Sequence, residues 1–323
     1  MVSNADVIRR RIESLFAGLT LPHDFDAPIG PLTWYGTGGA ASCLAHPTGP
    51  EQVAALLRRC ADSDVPVYVL GSGANLLVAD TGVTGLVIQL DAPAFNNIEY
   101  APATSGGEQR HIIAGAGVDL AKLIMTTARD GLAGLEPLAG IPASVGGAIH
   151  MNCGGKYGDI GSVTAAVHCL DRLGQPVHRS HTQAGFAYRH TDIAEPIILG
   201  ATFTLTETDP VKLRDRVKEI FAYKKSTQPL AEHSAGCTFK NPPKSITAKG
   251  AGQLIDEAGL KGLRLGGAEV SHRHANFLVL HPGGSADDVL RLIRAVRFKV
   301  VETTGIELET EIAVWGESDL VIW

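Results

Sequence analysis

An α+β fold is predicted for this chain. Strand-like and helix-like segments alternate with short links, and the helices are too few and too irregular to sheathe a doubly wound parallel sheet. Glycine is also abundant, 37 of 323 residues against the ~7% of ordinary proteins, which points to many tight turns and close backbone approaches.

Residues 1–20 form the first expected helix, with Ile8, Ile12, Leu15, Phe16 and Leu19 on one side. A stretch punctuated by Pro22, Pro28 and Pro31 leads into glycines, and 51–60 returns to helical spacing with Val53, Leu56, Leu57 and Cys60. Residues 65–70 read as a strand broken by 71–75, and 85–90 and 111–114 as further strands. Asp119 caps a helix carrying Leu120, Leu123, Ile124 and Thr127, which ends near Asp130 and Gly131. Residues 131–161 are dense in glycine and proline and show little periodicity. Strands return at 163–170, with Gly174 in a hairpin turn, and at 197–205. Asp209 and Pro210 open a helix through about Tyr223, with the main domain boundary at or just before it. The last segment adds a helix at 251–258 ended by Gly259, a strand at 276–280 and a long helix at 285–303. That last helix starts on a capping-box-like Ser285-Ala286-Asp287-Asp288 and carries the stripe Val289, Leu292, Ile293, Val296 and Val300.

Composition excludes several classes. Hydrophobic residues make up 45% and charged residues 19%, enough for real cores and unlike a disordered chain. The balance of 28 basic and 34 acidic residues, −6, argues against general nucleic-acid binding. No apolar run reaches the ~18–20 residues that cross a bilayer. The opening residues mix Arg9, Arg10 and Arg11 with Asp6 and Glu13, unlike a signal peptide. Cys43, Cys60, Cys153, Cys169 and Cys237 are odd in number, widely spaced and without a CxxC pattern, as expected of reduced thiols in a cytosol. The histidines lack metal-site spacing, so no metal is expected.

Three segments have the composition for chemistry. In 69–77, a strand runs into Gly71-Ser72-Gly73-Ala74-Asn75, whose successive N–H groups can line up on a phosphate. It lacks the Lys-Ser/Thr of a P-loop and the third glycine of a Rossmann fingerprint, and a tight turn between strands is the plainer reading. In 140–155, glycines beside small apolar residues would let backbone lie against a flat or phosphorylated ligand, and with Gly115 and Gly117 they give three glycine-rich loops suited to a large dinucleotide. Close helix–sheet packing explains the same glycines. In 234–242, Cys237 lies among small and polar residues. It is either a substrate-accessible thiol, mostly protonated near neutrality with a pKa of about 8.5, or an inert core residue. Tyr188-Arg189-His190 and Glu309-Thr310-Glu311 set charges beside apolar residues.

Read in order, YGTGGAA, VLGSGANLLV, GAGVDLAKL, GLAGLEPLAGIPASVGGAIHMNCG, FAYRHTDI, QPLAEHSAGCTFKNPP, AGQLIDEAGLKGLRLGGAEVSHRHANFLV and LETEIAVWG span about Tyr35 to Gly316. Together they resemble the UDP-N-acetylenolpyruvoylglucosamine reductases, flavoenzymes that make UDP-N-acetylmuramate for bacterial peptidoglycan. The short interval from Tyr188 to Cys237 is similar to that of the class without the substrate-covering insertion.

The resemblance implies an N-terminal helix at 1–20 and an FAD-binding domain of the vanillyl-alcohol-oxidase type at 21–207, its two subdomains split near 91–110. A C-terminal substrate domain follows at 208–323. It implies non-covalent FAD, with the pyrophosphate on Gly71, Ser72, Gly73, Ala74, Asn75 and Leu76. Gly115 and Gly117, with Gly140, Ile141, Pro142, Ser144, Val145, Gly146 and Gly147, would wrap the rest. NADPH would give a hydride to the flavin, which passes to C3 of the enol ether while charge develops on C2 and the carboxylate. By motif position, Arg189 and Glu311 stabilise that charge and Cys237 protonates C2. Glu311 would have to be protonated or act through hydrogen bonds, because an ionised carboxylate repels the developing charge. Tyr188 and Asn241 are implied substrate contacts, and Lys225 or its neighbour Lys224 a diphosphate ligand. The family's usual serine is here Cys237, and its Pro-Glu-Val is Thr310-Glu311-Ile312, so Glu311 is preferred to Glu309 by position. A cytoplasmic monomer acting on a UDP-sugar with NADPH, with no nucleic-acid or membrane partner, is the implied whole. A flavin oxidase or dehydrogenase of the same fold, acting on a sugar or alcohol, is the alternative.

Overall fold

A computed structural model describes residues 4–101 and 109–316; the first three and last seven residues, and part of the expected subdomain split near 91–110, lie outside the described residues. The elements run α1 (Asn4–Leu15), β1 (His23–Pro28), β2 (Ala40–Ala45), α2 (Pro50–Ser63), β3 (Val67–Leu70), β4 (Leu76–Val78) and β5 (Val83–Gln89). Next come β6 (Ile98–Tyr100), β7 (Gln109–Gly115), α3 (Leu120–Arg129), β8 (Leu132–Ala133), α4 (Val145–His150), β9 (Gly154–Gly155) and β10 (Gly158–Asp159). They continue with β11 (Thr164–Leu170), β12 (Pro176–Ser180), α5 (His181–Ala184), β13 (Ile197–Glu207), α6 (Pro210–Thr227) and α7 (Ala251–Glu257). The chain closes with β14 (Arg264–Leu265), β15 (Ala268–Val270), β16 (Leu278–Leu280), α8 (Ala286–Thr304) and β17 (Ala313–Trp315).

Two compact units result. The first holds Met1–Phe25, Ser42–Ser72 and Thr84–Tyr223; the second holds Asp26–Ala41, Gly73–Val83 and Lys224–Trp323. The two units part inside α6, whose Leu213, Val217 and Ile220 belong to the first unit's core.

In the first unit, a mainly antiparallel sheet has the strand order β12-β11-β13-β7-β6, with β8 also on β13. The long central strand β13 sets the register, with Ala201 opposite both Val167 and Ala114, and Phe203 opposite Ile112. Its alternate residues Ala201, Phe203 and Leu205 are fully buried, as a half-buried strand requires. They share a core with Leu120, Leu123 and Ile124 of α3, whose start is fixed by Asp119 accepting the Lys122 N–H at 2.8 Å. A second sheet, β1-β2-β5-β3, pairs β3 and β5 in parallel with Val69 opposite Ile88. The stripe of α2 (Val53, Leu56, Leu57, Cys60) is buried in the same core.

In the second unit, the antiparallel β14-β15-β16 sheet packs on α8, and β17 pairs in parallel with β4. The capping box of α8 forms as expected, and its stripe is buried. Asp80 adds a second anchor, its carboxylate accepting the N–H groups of Ala286 and Asp287 at 3.1 and 3.0 Å. An anion on these orphan donors of a helix N-terminus contributes about 0.3–1 kcal/mol. Backbone N–H groups of Gly267 and Ser285 hold the Asp288 carboxyl below the usual carboxylate range. Among the described residues, no helix is long and apolar enough to cross a membrane.

Candidate active site

In the first unit, three glycine-bearing segments converge on Ser144. The backbone of the β7–α3 turn is zipped to the start of α4: Gly146 N–H donates to Ala116 O, Val145 N–H to Val118 O and Leu120 N–H to Ala143 O, each at 2.9 Å. Ser144 caps α4 by accepting the Gly147 N–H at 3.3 Å. Gly71, at the end of β3, faces the same hydroxyl, and a Cβ there would lie 2.6 Å from Ser144 Oγ. A Cβ on Gly146 would meet Ala116, one on Gly115 the Phe95 carbonyl, and one on Gly117 the Leu90 carbonyl. Close packing therefore accounts for those three glycines. Gly147, by contrast, is exposed, and a Cβ there would meet only Ser144 Oγ. Gly140 turns the chain at φ +77, and Ile141 and Pro142 lead from it to Ala143 and the cap. The result is a surface of backbone and small side chains, which suits a group with a flat ring and a pyrophosphate.

Arg189 also lies in the first unit. Ala187 and His190 exchange backbone hydrogen bonds at 3.0 and 3.2 Å, which puts Tyr188 and Arg189 at the tip of a tight turn. Arg189 takes φ +53, a left-handed conformation that costs a non-glycine residue about 1–2 kcal/mol. Its Nη2 donates to the Gly154 carbonyl at 2.7 Å, and its guanidinium stacks 5.2 Å from the ring of exposed Tyr188. Buried Asn152 ties the turn down, donating to Ala187 O at 2.7 Å and accepting the Gly161 N–H at 3.0 Å. Asn152 falls within the glycine-rich 140–155 stretch, but its left-handed φ of +41 and its hold on the turn are legible only in the structure.

The remaining candidates lie in the second unit. Cys237 is half-buried on a short extended segment held from both sides. On one side Cys237 bridges to Phe277; on the other Phe239 bridges to Thr310, flanked by Lys240 N–H to Glu309 O and Glu311 N–H to Thr238 O, both 2.8 Å. Cys237 and Glu311 therefore sit on neighbouring extended segments. Gly73, Ala74, Asn75 and Leu76 belong to this unit too. Gly73, at φ +67, passes so close to Leu32 that a Cβ would lie 2.3 Å from its carbonyl oxygen. Asn75 joins the segment of Glu311, its Nδ2 donating to Glu311 O at 3.2 Å and its carbonyl accepting the Ala313 N–H at 2.9 Å. Leu76 continues that zipper opposite Ala313. Asn241 has a local duty, its Oδ1 accepting the Ala251 N–H at 2.9 Å at the start of α7. Lys225 is exposed and Lys224 buried, and Arg273 closes the end of their helix by donating to the carbonyls of Lys225 and Gln228.

Burial pushes the Cys60 and Cys169 thiols up to about 12, so those two are inert at neutral pH. No cluster of three or more metal-ligating side chains occurs among the described residues.

Two family models match the chain: an FAD binding domain over residues 41–180, and the C-terminal domain of UDP-N-acetylenolpyruvoylglucosamine reductase over residues 228–315. The chain is 40% identical over 293 residues to the UDP-N-acetylenolpyruvoylglucosamine reductase of Heliobacterium modesticaldum, covering 90% of each chain. It is 38% identical over 304 residues to that of Moorella thermoacetica, covering 94% of this chain and 96% of the other. The crystal structure of the reductase from Thermus caldophilus superposes with a TM-score of 0.74 at 35% identity, covering 92% of this chain and 99% of that one. The α+β architecture and the FAD-binding domain are thereby established. With identity sustained from end to end of such relatives, the chain belongs to the UDP-N-acetylenolpyruvoylglucosamine reductase family and is an FAD-dependent oxidoreductase.

Proposed function

We propose that this chain catalyses the NADPH-dependent reduction of UDP-N-acetylglucosamine enolpyruvate to UDP-N-acetylmuramate, as a cytoplasmic monomer supplying peptidoglycan precursors. In this reading residues 21–207 hold the cofactor and 208–323 the UDP-sugar. The observation that supports it most directly is the joint that sets Cys237 and Glu311 on adjacent segments, a proton donor and a carboxyl group in one frame. The alternative, an oxidase or dehydrogenase acting on a sugar or alcohol, has no such support, and the relatives at this identity are named reductases.

FAD, when bound, supplies a two-electron relay between the nicotinamide and the enol ether. The small-residue surface around Gly71, Ser144 and Gly147 fits that group, with Gly115, Gly117, Gly140, Ile141, Pro142, Val145 and Gly146 shaping it and Gly73 through Leu76 completing the motif. The chain's own residues do the rest. Arg189 holds the substrate carboxylate through its guanidinium fork as charge builds there. Glu311 steadies the same charge as a neutral acid or through hydrogen bonds. Cys237 delivers its thiol proton to C2. Tyr188, Lys225 and Asn241 orient the UDP-sugar.

The test begins with colour. The purified protein should be yellow, bleach on anaerobic addition of NADPH and regain its colour with the enolpyruvyl sugar. Colourless protein, or oxygen uptake with simple sugars in place of that cycle, would refute the assignment. Gly71→Val, whose side chain would run into Ser144 Oγ, should purify with most of the yellow absorbance lost.

A further inference from the structure

The backbone that carries Cys237 is held by a side chain to which no role has yet been given. In a non-hydrogen-bonded antiparallel pair, a residue's own N–H and C=O point away from the opposite strand. Phe239 is in that position opposite Thr310, and it is fully buried, so both of its backbone groups need partners elsewhere. One amide meets both needs: Asn276 Oδ1 accepts the Phe239 N–H at 2.9 Å and Asn276 Nδ2 donates to the Phe239 carbonyl at 2.8 Å. Asn276 is itself 3% exposed. Its main-chain carbonyl accepts the Thr238 N–H at 2.8 Å, and the next residue, Phe277, bridges to Cys237.

The loop bearing Asn276 is fixed in turn. Ser271 N–H donates to Phe277 O and Phe277 N–H to His274 O, both at 2.9 Å. The Asn276 N–H donates to His274 Nδ1 at 3.2 Å, a bond suited to a neutral imidazole, and burial holds His274 below its usual pKa.

We infer that Asn276 is a positioning residue for the proton donor: its amide stands in for an absent strand edge and fixes the two peptide groups on either side of Phe239, while its main-chain carbonyl holds the peptide directly after Cys237. The inference rests on the proposed role of Cys237. An apolar residue of similar size would fill the same space but leave two buried backbone groups without partners, and the segment would shift to find them. A displacement of about 1 Å at a reacting group costs on the order of 10²-fold in rate.

The test uses the holoenzyme and times its two colour changes separately. Asn276→Ala and the isosteric Asn276→Asp should slow the return of yellow colour with the enolpyruvyl sugar by roughly tenfold or more, while bleaching by NADPH stays within about twofold of wild type. Asn276→Asp carries a second readout. Its carboxyl can donate to the Phe239 carbonyl only when protonated, so its rate relative to wild type should rise as pH falls; the wild-type comparison removes the titration of His274. Bleaching and recovery falling together in both variants, or bound flavin lost from both, would assign Asn276 to folding alone and overturn the inference, as would unchanged recovery. Cys237→Ala, run alongside, tells the two failures apart. If it slows recovery while both Asn276 variants match wild type, only the positioning role is lost. If it does not slow recovery, the reading of Cys237 falls first.

Discussion

Cys237→Ala bleaches with NADPH within about twofold of wild type, but its colour returns roughly 10²–10⁴-fold more slowly with the enolpyruvyl sugar, the usual worth of a positioned proton donor. The asymmetry is the point of the experiment. Bleaching by NADPH draws no proton from the thiol, so its loss leaves that phase nearly untouched. The return of colour requires a proton at C2, and alanine has none to give. Cys237→Ser should keep substantial activity, because a hydroxyl occupies the same position with a proton to donate. Stopped-flow absorbance in the visible band measures both phases on one preparation. Equal loss in both phases would remove Cys237 from the proton transfer.

Arg189→Met lowers the rate of the same second phase by about 10²–10³-fold, the loss expected when a group stabilising developing charge is removed. Arg189→Lys should recover little, since an ammonium is a point charge and cannot reproduce the planar fork on a carboxylate. The local structure sharpens this expectation. Arg189 keeps a left-handed backbone at the tip of the Ala187–His190 turn, and one of its nitrogens is spent on the Gly154 carbonyl. A shorter or rounder cation loses that tether together with the fork. Single-turnover rates across substrate concentration separate weakened binding from slowed chemistry, and an Arg189→Lys enzyme with wild-type rates would remove the fork from the argument.

The parts of this molecule legible in its sequence are those with local causes. The Asp119 cap and the buried positions Leu120, Leu123, Ile124 and Thr127 specify α3, and Ser285 with Asp288 and five buried positions specify α8. Both signals lie within a turn or two of the residues they order. Helix α4 carried a cap as well, in Ser144, but Gly146 and Gly147 weaken helix propensity and made the segment read as loop. The glycine motif at 71–76 reads as one loop, yet its residues divide between the two units at Ser72 and Gly73. The partners of Asn75 and Leu76 lie more than 230 residues away, and a pairing that distant leaves no periodic trace. The extended segment of Cys237 is hidden for the same reason, because its ladder is completed by an amide side chain where a strand would leave a run of β-branched residues.

The pairing of β4 with β17 also sets a timetable for biosynthesis. Asn75 leaves the ribosome 236 residues ahead of Glu311, the residue its side chain will hold. At about 5–20 residues per second the wait is roughly 10–50 seconds, long beside the microseconds in which a hairpin forms. Throughout that interval β4, with its wholly buried Leu76, Leu77 and Val78, has no mate and must be kept from pairing with a neighbouring nascent chain.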